Sequence, residues 1–184
     1  MKVTGVILAG GRGTRMGGAD KGLVMHAGRP LIEWVIDRIR PQVDELLINA
    51  NRNLDDYGRY GYRVVTDLND DFVGPLAGMQ AGLNTASHEY VLCVPCDTPA
   101  LPADLAMRLV KSMEQFGCDV AVAATAEGWQ PTVCLLRREL ASNLATTIIG
   151  GQLRVRDWIE ACSHVAVPFT DQSAFANLNT PDSL

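Results

Sequence analysis

Along the chain, short apolar runs alternate with longer stretches in which apolar side chains return every three or four positions. Val3 to Ala9 is almost wholly apolar, the pattern of a strand covered on both faces of a parallel sheet. Pro30 stands at a helix start, with Leu31, Val35 and Ile39 on one stripe and Ile32 and Ile36 beside it. Strands are predicted over Val43–Asn49, Tyr62–Thr66 and Tyr90–Val94. Helices are predicted over Leu76–Ala86, behind Gly74-Pro75, and over Leu101–Phe116. Further strands at Asp119–Ala124, Thr132–Leu136 and His164–Phe169 interleave with helices near Arg137–Thr147 and Arg154–Ala161. Asn179-Thr180-Pro181 sets up a last helical turn.

Strand alternating with helix predicts an α/β fold: a three-layer sandwich around a mostly parallel, Rossmann-like sheet with right-handed crossovers. The 184 residues read as a single domain, 1–184, with no repeat, low-complexity tract or linker. In open sheets of this kind the ligand crevice lies at the carboxyl ends of the strands. Gly10–Lys21, Asn49, Asp67 and Asp97 are therefore the positions to read for chemistry.

Composition narrows the function classes. At 47% hydrophobic and 20% charged residues the chain is no disordered polyelectrolyte. No apolar run approaches the ~18 residues of a bilayer span. A strand-like segment follows Met1 directly, without a small-residue cleavage site, so a cytoplasmic protein is expected. The five cysteines, odd in number and mostly in apolar strands, fit reduced thiols. Cys93-Val94-Pro95-Cys96 matches C-x-x-C, but it ends a strand where a thioredoxin-type pair opens a helix, and no second pair is spaced for zinc. A net charge of −5 disfavours nucleic acid. The charge is uneven: the first forty residues carry seven Lys/Arg against three Asp/Glu, the remainder nine against eighteen. Positive charge thus gathers around one loop, which suits a small anionic ligand.

That loop, Gly10 to Gly28, holds seven glycines. Without a Cβ, backbone N–H groups can close around phosphate oxygens, and Arg15 and Lys21 can add charge-assisted contacts. Two familiar phosphate motifs fail here. G-x-x-x-x-G-K-[ST] breaks because Ala19 follows Gly18 where lysine is required, and G-x-G-x-x-G breaks at Met16. The second predicted strand also ends in Asn49, lacking the acid that would hold a ribose diol.

Leu-Ala-Gly-Gly-x-x-x-Arg-Met-Gly-x-x-x-Lys, from Leu8 to Lys21, resembles the signature of nucleotidyltransferases that activate phosphorylated substrates with an NTP. More narrowly, the chain resembles the molybdenum cofactor guanylyltransferases. Asn49-Ala50-Asn51-Arg52, Asp67 with Gly74-Pro75-Leu76-Ala77-Gly78, Pro95-Cys96-Asp97-Thr98-Pro99 and the tail Asn177-Leu178-Asn179-Thr180-Pro181 carry the match over nearly the whole chain. The resemblance implies a fold of the nucleotide-diphospho-sugar transferase type. It also implies transfer of GMP from GTP to the phosphate of molybdopterin, with release of pyrophosphate. Nucleotide contacts would fall on Leu8, Ala9, Gly10, Gly11, Arg15, Lys21, Asn49, Asp67 and Asp97, of which Arg15, Lys21 and Asp97 would act in catalysis. Acceptor contacts would fall on Arg154, Asn177 and Asn179. A family stretch that often carries two adjacent arginines reads Leu153-Arg154 here. Proteins that deliver or receive the cofactor would be its partners, with neither nucleic acid nor membrane.

Asp97 would also be the ligand of Mg²⁺. Penned between Pro95 and Pro99 at a strand end, it is placed to hold that ion against triphosphate oxygens, since Mg²⁺ takes one or two carboxylates plus phosphates and waters. Capping of the following turn is the structural alternative. Gly74-Pro75 opens a helix whose free N–H groups could face the ligand. Gly78 and Gly82 otherwise permit close helix–sheet packing. The chain has neither G-x-S-x-G nor H-E-x-x-H, and His26, His88 and His164 stand in different elements. An attacking phosphate needs no such machinery: it is ionised at neutral pH, and the protein must only align two anions and neutralise their repulsion. CTP on the same cofactor, a sugar 1-phosphate acceptor, and a non-catalytic nucleotide-sensing or partner-docking domain stay open at this level.

Overall fold

The computed structural model describes residues 1–11, 20–68 and 74–178. In chain order these form β1 (Val3–Leu8), a small antiparallel pair of β2 (Met25–His26) and β3 (Arg29–Pro30), α1 (Leu31–Ile39) and β4 (Glu45–Asn49). Then come α2 (Leu54–Gly58), β5 (Arg63–Val65), α3 (Pro75–Thr85), β6 (Tyr90–Pro95) and α4 (Leu105–Phe116). The chain continues through β7 (Val120–Thr125), β8 (Gly128–Arg137), α5 (Ala141–Ile149), α6 (Val155–Ala161) and β9 (His164–Pro168). Arg15 and the final turn at Asn179-Thr180-Pro181 lie outside the described residues.

Seven strands make one sheet in the order β5-β4-β1-β6-β8-β7-β9. The expected three layers are present. Ile32, Val35 and Ile39 of α1 and Leu105, Leu109 and Met113 of α4 pack on one face, against Ile7, Ile48, Leu92 and Leu135. Leu76, Met79 and Leu83 of α3, Leu144 of α5 and Trp158 of α6 pack on the other, against Val6, Leu47, Val91 and Leu136. Every residue from Leu76 to Leu83 is buried, so α3 is covered nearly all round.

The sheet is mostly parallel, but β8 runs antiparallel to both neighbours, β6 and β7. The strands read at Asp119–Ala124 and Thr132–Leu136 are the two arms of a hairpin, closed between Thr125 and Gly128. The few residues between them cannot make a parallel crossover, which needs a dozen or more. The register of β7 on β8 shifts between Val122 and Ala123. The slack falls at Pro131, which has no N–H to give a ladder, and such a break re-aims the neighbouring side chains.

α4 begins at Leu105, four residues later than its apolar pattern suggests. Its start is set from a distance: Gln42 accepts from the Ala106 N–H at 3.0 Å and donates to the Pro102 carbonyl at 3.0 Å. Orphan groups of the helix end are thereby satisfied by a side chain from another element. Sequence reasoning also missed α2 and the β2–β3 pair, all too short for a periodicity to register.

Candidate functional site

Chain order reverses between β1 and β6: β1 is bonded to β4 on one side and to β6 on the other, all three parallel. A crevice opens at the carboxyl ends of strands at such a switch point. Here it is a cavity of about 370 Å³ lined by Leu8, Ala9, Gly10, Gly11, Lys21, Asn49, Asp67, Gly74, Pro75, Pro95, Cys96, Asp97 and Thr132. All the expected nucleotide contacts among the described residues meet in it. The start of α3 at Gly74-Pro75 lines it as well, as its free N–H groups suggested.

The floor is built by backbone. The Ala9 N–H donates to the Asn49 carbonyl at 2.8 Å, and the Cys96 N–H to the Leu8 carbonyl at 3.2 Å. Gly10 then runs so close to the neighbouring strand end that a Cβ there would stand 2.9 Å from Asn51 Nδ2 and 3.0 Å from Asn49 Oδ1. Gly78 does the same from the α3 side, where a Cβ would lie 2.2 Å from Asn49 Oδ1. Both glycines are there to leave the Asn49 amide its place. Gly82 instead backs onto Val6 and is a packing glycine.

One wall is an amide–carboxylate network. Asn49 Nδ2 donates to Asp67 Oδ1 at 2.8 Å and to the Val65 carbonyl at 3.3 Å. Asn51 Nδ2 donates to Asp67 Oδ2 at 2.7 Å and to the Gly10 carbonyl at 3.2 Å, while Asn51 Oδ1 accepts from the Asp67 N–H at 2.9 Å. In the sequence Asn51 enters only within the motif Asn49-Ala50-Asn51-Arg52, with no role of its own.

The opposite wall carries charge. Lys21 Nζ lies 3.0 Å from Asp97 Oδ2, and the Asp97 side chain is only 9% exposed. Asp97 is held from behind: its carbonyl accepts from the Leu178 N–H at 3.0 Å, and Thr98 Oγ1 donates to Asn177 Oδ1 at 2.7 Å. Asn177 is thereby tied to the residue next to Asp97, though it does not itself line the cavity. Arg154, exposed and just before α6, does not line it either. Asn179 lies beyond the described residues. Next to Asp97, burial pushes the Cys96 thiol well up, helped by the charges of Asp97 and Asp20, so Cys96 is no nucleophile. Cys93 packs on the opposite face of the sheet from Cys96, so the two side chains of the C-x-x-C spacing point away from each other.

The donor set suits Mg²⁺ bound in company with phosphate. Among the described residues two carboxylates line the cavity, the buried Asp97 and the half-buried Asp67, and no group of three or more His, Cys, Asp or Glu capable of caging a metal occurs. A hard ion that keeps waters and phosphate oxygens in its shell needs no more protein than that.

The family model for the MobA-like NTP transferase domain matches residues 5–166. The chain belongs to this family, among the molybdenum cofactor guanylyltransferases. The molybdenum cofactor guanylyltransferase of Polynucleobacter asymbioticus is 47% identical over 186 residues, covering 99% of this chain and 94% of that protein. That of Shewanella putrefaciens is 44% identical over 181 residues, covering 98% and 93%. Among solved structures, molybdopterin-guanine dinucleotide biosynthesis protein A of Archaeoglobus fulgidus superposes with a TM-score of 0.80 at 26% identity, covering 100% of this chain and 94% of that one. The family's fold is thus the one the sheet order describes. Among the described residues no helix is long and apolar enough to cross a membrane.

Proposed function

We propose that this guanylyltransferase-family chain moves GMP from GTP to the terminal phosphate of molybdopterin, forming molybdopterin guanine dinucleotide and releasing pyrophosphate. An oxygen of the molybdopterin phosphate forms a bond to the α-phosphorus of GTP. The bond from that phosphorus to the β-phosphate bridge breaks, and the electron pair leaves with pyrophosphate. The attacking oxygen is already ionised, so no proton needs to be removed. The work left to the protein is alignment and charge neutralisation.

The observation that carries the reading is the pairing of Lys21 with Asp97 on the wall of a cavity floored by the Leu8–Gly11 backbone. The floor and Asn49 seat the nucleoside, Asp67 is held ready beside it, and Lys21, with Arg15, neutralises phosphate charge. Asp97 would hold Mg²⁺, which when bound supplies charge neutralisation to the triphosphate. Asn177, tied to Thr98 beside Asp97, would contact the acceptor, as Asn179 would by resemblance. The place of Arg154 in acceptor binding rests on resemblance alone.

Calorimetry of the whole protein with GTP, CTP and ATP in the presence of Mg²⁺ tests this, followed by product formation from GTP and molybdopterin. Tighter binding of GTP than of CTP and ATP, with pyrophosphate release dependent on molybdopterin, is expected. Preference for CTP would remove the guanylyl assignment, and absence of nucleotide binding would remove the enzyme.

A further inference from the structure

Asp20 is a buried charge that the transfer reaction does not use. Its side chain is 3% exposed, and it directly precedes Lys21. A carboxylate with so little water needs partners of its own. Among the described residues, three such partners come from the segment after β4. Tyr57 Oη donates to Oδ1, Asn53 Nδ2 donates to Oδ2 at 3.1 Å, and Arg52 Nε stands 3.5 Å from Oδ2.

The fit extends beyond the carboxylate. Tyr57 is fully buried, and its hydroxyl lies so close to Gly22 that a Cβ there would stand 2.6 Å from Oη. Asn53 reaches Asp20 from a left-handed backbone, φ 51°, a conformation Asn tolerates better than most side chains. Between Asp20 and Gly22, Lys21 opens a short helical turn in which the Leu23 N–H returns to the Asp20 carbonyl at 3.0 Å and the Val24 N–H to the Lys21 carbonyl at 3.2 Å. Both residues flanking Lys21 are therefore fixed by Tyr57, one through its carboxylate and one through contact. Burial pushes the Tyr57 hydroxyl far up, with Cys96 and Asp20 adding to the shift, so it stays protonated and a donor.

We propose that the Asp20–Tyr57 hydrogen bond, with Asn53 beside it, is a positioning lock that holds the Lys21 ammonium at the cavity wall, so that these residues act on nucleotide binding through Lys21. A loop end that only had to pack would do as well with apolar side chains, since replacing a buried charge network by well-packed apolar groups is often neutral or stabilising. The charged network instead dictates one backbone path next to Lys21, which meets Asp97.

The inference rests on the reading that Lys21 binds nucleotide, and a double-mutant cycle separates the two. The affinity of the whole protein for GTP with Mg²⁺ is measured by calorimetry in Tyr57→Phe, Lys21→Ala and the double variant, with melting temperatures recorded for each. Tyr57→Phe is expected to weaken GTP binding by about tenfold in the native background and by less than about twofold in the Lys21→Ala background, because coupled residues fail to add. Equal losses in the two backgrounds, or no loss in either, would overturn the lock. If Lys21→Ala binds GTP as tightly as the native chain, the assignment of Lys21 itself falls and the lock with it. Should Tyr57→Phe not fold, Asn53→Gly carries the same cycle: Asn53 is exposed, and glycine keeps its left-handed backbone while removing the amide.

Discussion

Lys21 Nζ donates to Asp97 Oδ2 at 3.0 Å, joining the end of the glycine-rich loop to the end of β6 across 76 positions of sequence. In the proposed reaction each partner would have a separate task toward a triphosphate, one as a cation and one as a metal ligand, and the contact holds both at one point of the cavity wall.

Lys21→Ala and Asp97→Ala should each lower kcat/KM by about 10²–10³-fold, the scale set by removing one preorganised electrostatic contact. Pyrophosphate release with GTP, Mg²⁺ and molybdopterin measures it. Melting curves close to that of the native chain are expected alongside. Native turnover in either variant would sink the role given to that residue.

Gly78→Ala sets two effects against each other. In a helix interior alanine is favoured over glycine by about 0.8–1 kcal/mol. Here its Cβ would stand 2.2 Å from Asn49 Oδ1 and 3.0 Å from Leu8 Cδ2, and overpacking of that kind costs roughly 1–3 kcal/mol. The clash wins, so a lower melting temperature and a raised KM for GTP are expected. Gly82→Ala meets only Val6; it should lower stability and leave KM alone.

Asn51→Ala removes the donor to Asp67 Oδ2 and the acceptor for the Asp67 N–H at once. Buried groups left without partners cost about 1–3 kcal/mol. Lower stability and weaker GTP binding should appear together, seen by melting and calorimetry. An unchanged affinity would show that Asp67 needs no such support.

Glu45 gives a pH dependence away from the site. Burial works to raise its carboxyl, but hydrogen bonds from the Thr4 hydroxyl and from the Ser87 N–H and hydroxyl outweigh it and hold the group below its ordinary 4.5. A lowered folded-state value stabilises the fold above the unfolded value and loses that contribution as pH falls through the folded one. Glu45→Gln should therefore lower the melting temperature at neutral pH. The gap to the native chain should narrow between about pH 5 and pH 3. A constant gap over that range would refute the assignment.

Thiol reactivity should divide the cysteines. Cys93, Cys96, Cys118 and Cys134 are buried and Cys162 is partly exposed. A thiol reagent at neutral pH should label at most Cys162 quickly and the other four only on unfolding, since the thiolate is the reactive form and burial suppresses it. Rapid loss of Cys96 in the native protein would contradict the closed cavity floor.

Much of the fold was written in local pattern. The apolar run at Val3–Ala9 and the stripe Leu31, Val35 and Ile39 mark β1 and α1 because burial on two faces and on one face leave different periodicities. The loop glycines, Lys21 and Asp97 were visible because their chemistry shows in residue type and in position after a strand. Arg154 and Asn177 show the other side: the resemblance marked both for the acceptor, and neither lines the cavity that the strand ends form.

The sequence by itself determined the layers, the buried strands and the set of residues able to meet a phosphate. Only the tertiary structure decided that β8 turns back between β6 and β7, that Asn51 braces Asp67, and that Tyr57 closes on Asp20 from 37 positions away. The reason is physical. Periodicity and residue chemistry are local, and they survive in any one segment read alone. Pairing direction and hydrogen-bond partners depend on which distant segments the folded core brings into contact, and no single stretch of chain contains that information.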